Sequence, residues 1–348
     1  VQDVSPDMWE MDGNQAPFSS YQWYTFCEKV MADCIPTHIL LLKDGKTHAR
    51  GSFWLMHNDV LPIASPIGRA AARWLMRKRP VLVCRSPIAN ATGLVLSDHD
   101  HREALAGILS AAGTYAHQRH ASFVIYDYLD AQQTRGGDFP GRYWSMQVDA
   151  PGTRLDIQWN TFEDYLASLS KHARKDYRRH MNQATRTGIR MQARCTITDG
   201  LAAVERIRQV ERRHGTMPNP WIENILNNFQ MVGGIWLEAS QDDRLIGCGL
   251  LLPDGDQLVA TLFGLDYEVK YAYFPLIYGA IKVAIEQGVR LFYAGSGAYE
   301  LKRRLGFTLE NNNYIRITGL GPIFSTAVRL IHRKPVKEGY FIEEGNEC

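Results

Sequence analysis

The stretch FYAGSGAYELKRRLGF, residues 292–307, carries the strongest local structural signal in the chain. It begins with the end of an apolar strand, after which Gly295 and Gly297 allow the backbone to turn tightly. A short helix is predicted over 299–305, and Gly306 ends it. Backbone N–H groups at the start of such a helix can bind an anion or an oxyanion. The stretch therefore predicts a strand, a turn and a helix, with either a ligand site or a simple structural turn between them.

The segments on both sides of this stretch repeat one order of elements. In the second half, strands are predicted at 234–240, 245–253 and 257–263, followed by a helix at 275–287 and a strand at 290–294. In the first half, a helix at 19–31 precedes strands at 39–43 and 49–57, and a strand–helix–strand finish follows at 81–84, 102–118 and 122–128. The repeated order predicts an α/β (α+β) fold of two tandem domains, each a mixed, mostly antiparallel sheet flanked by helices.

The expected domain boundaries are 1–150 and 151–334, with an acidic tail at 335–348 that holds one Lys and four Glu. Within the second domain, one long helix is predicted from Phe162 to about Thr187 by its apolar stripe. A strand at 314–318 is expected to be the last strand of the same domain.

Composition excludes several classes of protein. The 348 residues are 45% hydrophobic and 22% charged, which is typical of a globular chain with two cores. Membrane helices are not expected, because every apolar run is too short. The six cysteines include no Cys-x-x-Cys pair, and no secretory leader is visible, so reduced thiols and a cytoplasmic location are expected. Asp98–His101 matches no metal-ligand spacing, even with His117 or His120, so no metal site is expected.

Positive charge is concentrated in one predicted helix. Residues 171–194 contain eight Lys or Arg and a single acid, Asp176. Four of the cations repeat at helical spacing and are predicted to share one face: Lys171, Arg174, Lys175 and Arg178. Like charges in this arrangement repel one another, so a bound phosphate or diphosphate would stabilise them. A solvated helix face is the alternative interpretation.

Several of these segments together resemble a known superfamily. The order of elements over 235–306 and the ending Lys302-Arg303-Arg304-Leu305-Gly306-Phe307 are similar to those of GNAT acyltransferases. More closely, the basic helix and the spacing Gly295…Tyr299…Lys302 resemble the Fem-type branch, which contains peptidoglycan aminoacyltransferases with two GNAT domains in tandem. The segment 17–23 is similar to the N-terminal helix entry of that branch.

The resemblance implies roles for individual residues. Lys302 would handle the donor or the developing charge, with Tyr299 beside it, and Arg303 would join the basic helix in binding phosphates of the donor or acceptor. One departure from the GNAT pattern concerns coenzyme A. The glycine-rich loop that holds its pyrophosphate is replaced by 266–275, which has no glycine and ends in Pro275, a residue without an N–H.

Amide chemistry itself suggests further candidates, because the amine must lose a proton and the oxyanion must be stabilised. Glu211 and His214 are close in sequence at a helix end and could act as a base, or could be an ordinary exposed pair. Asp266 follows a strand and could bind the acceptor, or could cap a turn.

Taken together, the sequence predicts an enzyme that moves an activated acyl or aminoacyl group onto an amine, with no tightly bound cofactor or metal. The expected co-substrates are acyl-CoA, an acyl carrier protein or an aminoacyl-tRNA, and DNA is not an expected partner. One alternative is an aminoacyl-tRNA-dependent enzyme that forms peptide bonds, and another is a non-catalytic RNA- or anion-binding protein. A third is peripheral membrane contact through an amphipathic segment at 323–337.

Overall fold

A computed structural model describes residues 4–11, 16–57, 66–97, 101–130, 139, 143–147 and 151–319. The segment at 323–337, the acidic tail and Asp98–Asp100 lie outside these residues. The helices are α1 Pro6–Trp9, α2 Tyr21–Val30, α3 Pro66–Lys78, α4 His101–Gln118, α5 Phe162–Ser168, α6 Lys171–Arg186, α7 Gly200–His214, α8 Ile222–Asn228, α9 Tyr273–Glu286 and α10 Tyr299–Arg304, with a 3-10 turn at Phe229–Val232. No helix in this part of the chain is long and apolar enough to cross a bilayer.

The strands over the same residues are β1 Ile35–Lys43, β2 Lys46–Met56, β3 Val81–Cys84, β4 Leu94–Leu96, β5 Val124–Leu129, β6 Tyr143–Gln147, β7 Thr153–Asp156, β8 Arg190–Arg194, β9 Ile235–Gln241, β10 Arg244–Asp254, β11 Gln257–Leu265, β12 Leu291–Tyr293, β13 Thr308–Leu309 and β14 Tyr314–Thr318. They form two mixed sheets, with strand orders β1-β2-β3-β5-β14-β6 (β4 pairs with β2) and β13-β7-β12-β11-β10-β9-β8.

The chain divides into two compact units that interleave in sequence. Unit 1 contains Val1–Cys34, Ser86–Asn90 and Gly152–Glu310, and unit 2 contains Ile35–Arg85, Ala91–Pro151 and Asn311–Cys348. This division differs from the expected boundaries 1–150 and 151–334. One part of the difference arises because β14, predicted as the last strand of the second domain, pairs with β5 and β6 in the sheet of unit 2. The other part is that Val1–Cys34 and Ser86–Asn90 belong to unit 1.

The predicted long helix from Phe162 to Thr187 is wrong, because the chain breaks it into α5 and α6. Leu169 has the extended angles φ −69° and ψ 156° at the end of α5. The Ser170 hydroxyl then accepts a hydrogen bond from the Ala173 N–H and starts α6. The predicted apolar stripe is nevertheless buried in the core, from Phe162 to Ala184. The apolar periodicity alone predicted one continuous helix, whereas the N-cap at Ser170 starts a second helix.

The sheet of unit 1 packs helices on both faces. Phe263 on β11 packs against Tyr273 of α9, with ring centroids 5.4 Å apart. The next residue, Gly264, faces α7, where a Cβ would lie 2.8 Å from the Ile207 nitrogen and 2.6 Å from the Cys248 sulfur. Only glycine allows this close approach of strand and helix.

Gly264→Ala is therefore expected to destabilise unit 1 by about 1–3 kcal/mol through overpacking. Gly200→Ala is the matched control, because nothing lies within 4 Å of a Cβ at that position. Its effect should stay within about 0.5 kcal/mol. Urea unfolding of the two variants measures the difference, and equal stabilities would contradict the packing argument.

Candidate active site

The candidate site of unit 1 lies where two parallel strands separate. β11 and β12 pair only over Gln257–Val259 and Leu291–Tyr293. β11 then continues to Leu265, whereas β12 ends at Tyr293. Within the described residues β11 therefore has no partner strand on the β12 side beyond Val259, and we call this position the opening between β11 and β12.

Two segments from earlier in the chain lie at this opening. The Thr261 hydroxyl on β11 donates a hydrogen bond to the Ile88 carbonyl at 3.0 Å. The Phe18 ring packs on Tyr293 with centroids 5.3 Å apart, and the Phe18 carbonyl accepts a hydrogen bond from the Ser86 hydroxyl. Unit 1 thus combines distant parts of the sequence around the two strands.

Lys302 projects from α10 back toward the turn and is only 4% exposed. Its ammonium donates to the carbonyls of Ala294 and, at 3.1 Å, of Gly295. The Gly295 carbonyl also accepts a hydrogen bond from the Thr153 hydroxyl at 2.8 Å. Gly295, Gly297 and Ala298 all have positive φ values, at 56°, 87° and 51°. The left-handed turn therefore aims two carbonyls at the buried ammonium.

A partly buried carboxylate, Glu310, interacts electrostatically with this lysine and was missed by the sequence analysis. Glu310 follows β13, and its N–H donates to the Gly152 carbonyl at 2.8 Å. A Cβ at position 152 would lie 1.9 Å from the Glu310 Oε2 atom, so glycine at 152 makes room for the carboxylate. The register of β7 with its two neighbours also places Arg154 opposite Tyr293 on one side and Thr308 on the other.

Loss of solvent shifts the pKa values of both groups, and their opposite charges act against these shifts. Burial lowers the pKa of Lys302 to about 8, while the charge of Glu310 acts to raise it. Burial raises the pKa of Glu310 to about 7, while the charges of Arg154 and Lys302 act to lower it. Ionisable groups whose pKa values are displaced by burial occur frequently at functional sites.

The rest of α10 separates into inward and outward groups. Tyr299 begins the helix, three residues before Lys302. Arg303 points away from Lys302, is 61% exposed, and pairs with Glu300 at 3.1 Å. The structure therefore does not bring Arg303 together with Lys302 and Glu310.

Asp266 is buried and already ion-paired. Its Oδ2 atom contacts the guanidinium groups of Arg206, at 3.2 Å, and Arg244. Its Oδ1 atom accepts a hydrogen bond from the Glu268 N–H at 3.1 Å, as expected of a turn-capping aspartate. The carboxylate therefore holds Arg206 and Arg244 at the end of β11, and its negative charge is neutralised by these two arginines.

Glu211 and His214 both lie on the last turn of α7 but face different partners. Glu211 pairs with Arg208 at 2.7 Å and accepts a hydrogen bond from the Asn219 N–H at 2.8 Å. The His214 Nε2 atom lies 3.0 Å from the Tyr267 hydroxyl. The structure thus ties Glu211 to the following loop and does not join the two residues in one site.

The basic helix presents fewer free cations than its spacing predicts. The Arg174 guanidinium donates to the carbonyls of Ala167, at 2.8 Å, and Leu169, and so closes the end of α5. Lys171, Lys175 and Arg178 are exposed, and within the described residues they make no ion pair or hydrogen bond.

The buried side of the basic helix carries a histidine, His180, that is 8% exposed. His180 stacks on Phe274, with ring centroids 3.5 Å apart. Burial and the neighbouring Arg179 lower its pKa, while the charge of Asp176 acts to raise it.

Several N–H groups of the loop before α9 are bonded within the protein. The N–H groups of Asp266 and Val269 donate to the carbonyls of Ile246 and Asp266, and that of Phe274 donates to the Tyr271 carbonyl. Pro275 has no N–H. At these four positions the loop therefore offers no N–H group to a ligand. Over the described residues, no group of three His, Cys, Asp or Glu could hold a metal ion.

Removing the charge of Glu310 should lower the pKa of Lys302 below about 8, because the carboxylate stabilises the ammonium. For Glu310→Gln we expect a decrease of roughly one pH unit, the lower end of what a nearby opposite charge supplies. The measurement is an NMR titration of ¹³Cε-lysine-labelled protein, with the Lys302 signal assigned by its loss in Lys302→Arg. Glu300→Gln is the control, since that carboxylate is 65% exposed on the same helix. An unchanged Lys302 pKa in Glu310→Gln would show that the two groups do not interact.

Comparisons with known proteins agree with this architecture. The chain is similar to the crystal structure of FemX, with 12% identity and a TM-score of 0.64 over 92% of this chain and 96% of that chain. It is also similar to L-PGS from Bacillus licheniformis, with 10% identity and a TM-score of 0.52 over 92% and 98%. A tandem GNAT protein from the clavulanic acid biosynthesis pathway has 11% identity and a TM-score of 0.50 over 83% and 84%.

At these identities the similarities show the fold alone, and they confirm the predicted tandem GNAT-like α/β architecture. A search of curated proteins finds no match. A family model described as FemAB-like, peptidoglycan biosynthesis and recognition, matches residues 1–318. This match supports acyl or aminoacyl transfer in general terms, without naming the donor or the acceptor. With most of its length matched, the chain belongs to the FemAB-like family.

Proposed function

We propose that the protein transfers an activated aminoacyl or acyl group to an amine and forms an amide. The observation that carries this proposal is the buried ammonium of Lys302 at the turn that follows β12, together with the partly buried carboxylate of Glu310 whose charge acts on it. An ammonium and a carboxylate with pKa values near neutrality are suited to stabilise an oxyanion and to accept a proton.

The reaction assigns one task to each group. The acceptor nitrogen attacks the carbonyl carbon of the donor ester or thioester and forms a tetrahedral intermediate. Lys302 has three N–H donors and uses two on Ala294 and Gly295, which leaves the third for the oxyanion. Glu310 accepts the proton that the attacking amine loses. Collapse of the intermediate breaks the bond to the donor oxygen or sulfur, which departs and takes up a proton.

Among the donors considered, the loop before α9 favours an aminoacyl-tRNA over acyl-CoA. The loop has no glycine, Pro275 has no N–H, and the N–H groups of Asp266, Val269 and Phe274 are bonded within the protein, so these positions supply no backbone donor to a coenzyme A pyrophosphate. An acyl carrier protein or another thioester remains the second candidate donor. FemAB-like membership, described by peptidoglycan biosynthesis and recognition, also supports an aminoacyl donor.

Lys171, Lys175 and Arg178 are proposed to bind phosphates of the donor, because their charges are exposed and unpaired within the described residues. Arg174 is proposed to support this surface indirectly by holding the start of α6. Tyr299, Asp266 and His214 are proposed as groups near the substrates, Glu211 as a support for the neighbouring loop, and Arg303 as an outer phosphate contact.

The exposed basic face also favours a second function, the binding of RNA or another polyanion without catalysis. A cytoplasmic location, with peripheral membrane contact through 323–337, is part of the proposal, although that segment lies outside the described residues. Substrate turnover separates the two functions, because only the transferase requires Lys302.

Lys302→Met is expected to lower kcat by about 10²–10³, the usual effect of removing one oxyanion donor. The donor is first identified by thermal shift and native mass spectrometry with charged tRNA, acyl carrier protein, acetyl-CoA and long-chain acyl-CoA. Lys282→Ala is the control, because that lysine is 53% exposed and pairs with Glu286 on α9. Wild-type kcat in Lys302→Met, with an unchanged melting temperature, would count against the proposed role.

The pH profile of kcat/KM is expected to be a narrow bell. Activity should rise as Glu310 loses its proton near pH 7, and fall as Lys302 loses its proton near pH 8. Glu310→Gln should remove the contribution of Glu310 to the rising limb, while Glu300→Gln should retain both limbs. Because ionisation of the acceptor amine is the same for every variant, the comparison isolates Glu310. A rising limb unchanged in Glu310→Gln would exclude it as the base.

A further inference from the structure

A second concentration of positive charge lies in a cleft formed by the C-terminal half of α7, the start of β10 and the end of β11. We call it the arginine cleft and define it by Arg206, Arg212, Arg213, Arg244, Asp266 and Tyr267. It is an open, shallow depression of about 620 Å³, which has room for a nucleotide-sized ligand. Neither the basic helix α6 nor Lys302 contributes to its lining.

Asp266 holds two of the arginines in place from the floor of the cleft. Arg206 is 14% exposed and is also fixed by its Nε–H donating to the Leu245 carbonyl at 3.0 Å. Arg244 is 58% exposed and uses its Nη2 group on Asp266. A guanidinium has five N–H donors, so Arg244 keeps most of its donors for a ligand.

Arg213 adds a cation with no partner acid. Its guanidinium carbon lies 5.5 Å from the centroid of the Tyr267 ring, and among the described residues it makes no ion pair. Tyr267 is 44% exposed, and its hydroxyl is held 3.0 Å from the His214 Nε2 atom. A fixed aromatic ring beside a free guanidinium is a combination that suits a nucleobase next to a phosphate.

The charge of the cleft exceeds what its acids neutralise. Four guanidinium groups face the carboxylates of Asp266 and Glu268, with Glu205 paired to Arg212 at the margin. Arginines in the last turn of a helix are favoured by its dipole, which accounts for Arg212 and Arg213. Arg206 and Arg244 lie outside that turn, so the dipole does not account for the whole cluster.

We propose that the arginine cleft binds the phosphate groups of a nucleotide-derived ligand. Guanidinium groups form paired hydrogen bonds to phosphate, and the cleft holds them near an exposed aromatic ring. The same chemistry is present in the 3′ end of an RNA and in coenzyme A. In assigning these phosphates to a transfer substrate, the inference rests on the proposed function, but binding itself requires no turnover.

The first test is calorimetric titration of the full chain with inorganic pyrophosphate at low ionic strength. Arg213→Ala combined with Arg244→Ala should weaken binding about tenfold, while Asp266 keeps its bridge to Arg206. The control is Arg290→Ala, since Arg290 is also 58% exposed and ion-paired, but lies before β12 at the opposite end of the β11–β12 pair. If the double variant melts early, the single variant Arg213→Gln replaces it, with a smaller loss expected.

Three outcomes would overturn the proposal. The first is that the wild-type protein does not bind pyrophosphate. The second is that Arg290→Ala lowers the affinity for pyrophosphate as much as the cleft variant does. The third is that Lys175→Ala combined with Arg178→Ala lowers this affinity while the cleft variant does not. A salt titration should also show a shallower slope for the cleft variant, because fewer phosphate contacts remain.

Two further titrations distinguish the sources of phosphate. Coenzyme A and a short RNA hairpin ending in CCA are compared for the wild-type and cleft-variant proteins, and the ligand whose affinity depends on the cleft identifies the source. Lys302→Met separates the two proposals. If the wild-type protein turns over substrate but does not bind pyrophosphate, this inference alone is wrong. If the wild-type protein binds pyrophosphate and Lys302→Met keeps the wild-type kcat, the proposed function alone is wrong.

Discussion

The buried ammonium of Lys302 is the group around which the candidate site is arranged. A lysine that is 4% exposed needs oxygen acceptors, and the turn after β12 supplies them from Ala294 and Gly295. That turn requires left-handed backbone at Gly295, Gly297 and Ala298. The need to satisfy one buried charge therefore explains the glycines, the Thr153 hydroxyl on Gly295, and the carboxylate of Glu310 nearby.

The helix that carries Lys302 is held from outside by the segment with the basic helix. The Tyr165 hydroxyl of α5 donates to the Leu305 carbonyl at 3.0 Å. Asp176 of α6 lies 2.8 Å from Arg179 of its own helix and 3.9 Å from Arg304 of α10. The single acid of the basic region thus connects the helix proposed to bind donor phosphates with the helix that carries the proposed catalytic lysine.

Local patterns predicted most strands and helices of unit 1 and the turn before the helix that carries Lys302, because a glycine turn followed by a short helix is encoded within a few residues. They could not find Glu310, since its role depends on the pairing of β13 with β7 and on the space left by Gly152. Nor could periodicity reveal the break at Ser170 or the pairing of β14 with the sheet of unit 2. One feature of the sequence does point to Glu310, namely an acidic residue just after the helix, Gly306 and the short strand β13. Without the pairing of β13 with β7, this feature only weakly predicts a functional carboxylate.

Basic side chains that form ion pairs within the protein can be distinguished from those whose charge is available to a ligand. The net charge is only +2, so there are nearly as many acidic side chains as basic ones to pair with. Arg206 and Arg208 form ion pairs with Asp266 and Glu211 and so stabilise the protein itself. Lys175, Arg178 and Arg213 form no ion pair within the described part of the chain. Because unpaired surface cations add little to stability, the cations grouped on α6 and the single unpaired Arg213 in the arginine cleft are better explained by anionic ligands than by folding. Helical spacing alone grouped Arg174 with Lys171, Lys175 and Arg178, and only the contacts show that Arg174 bonds to backbone carbonyls.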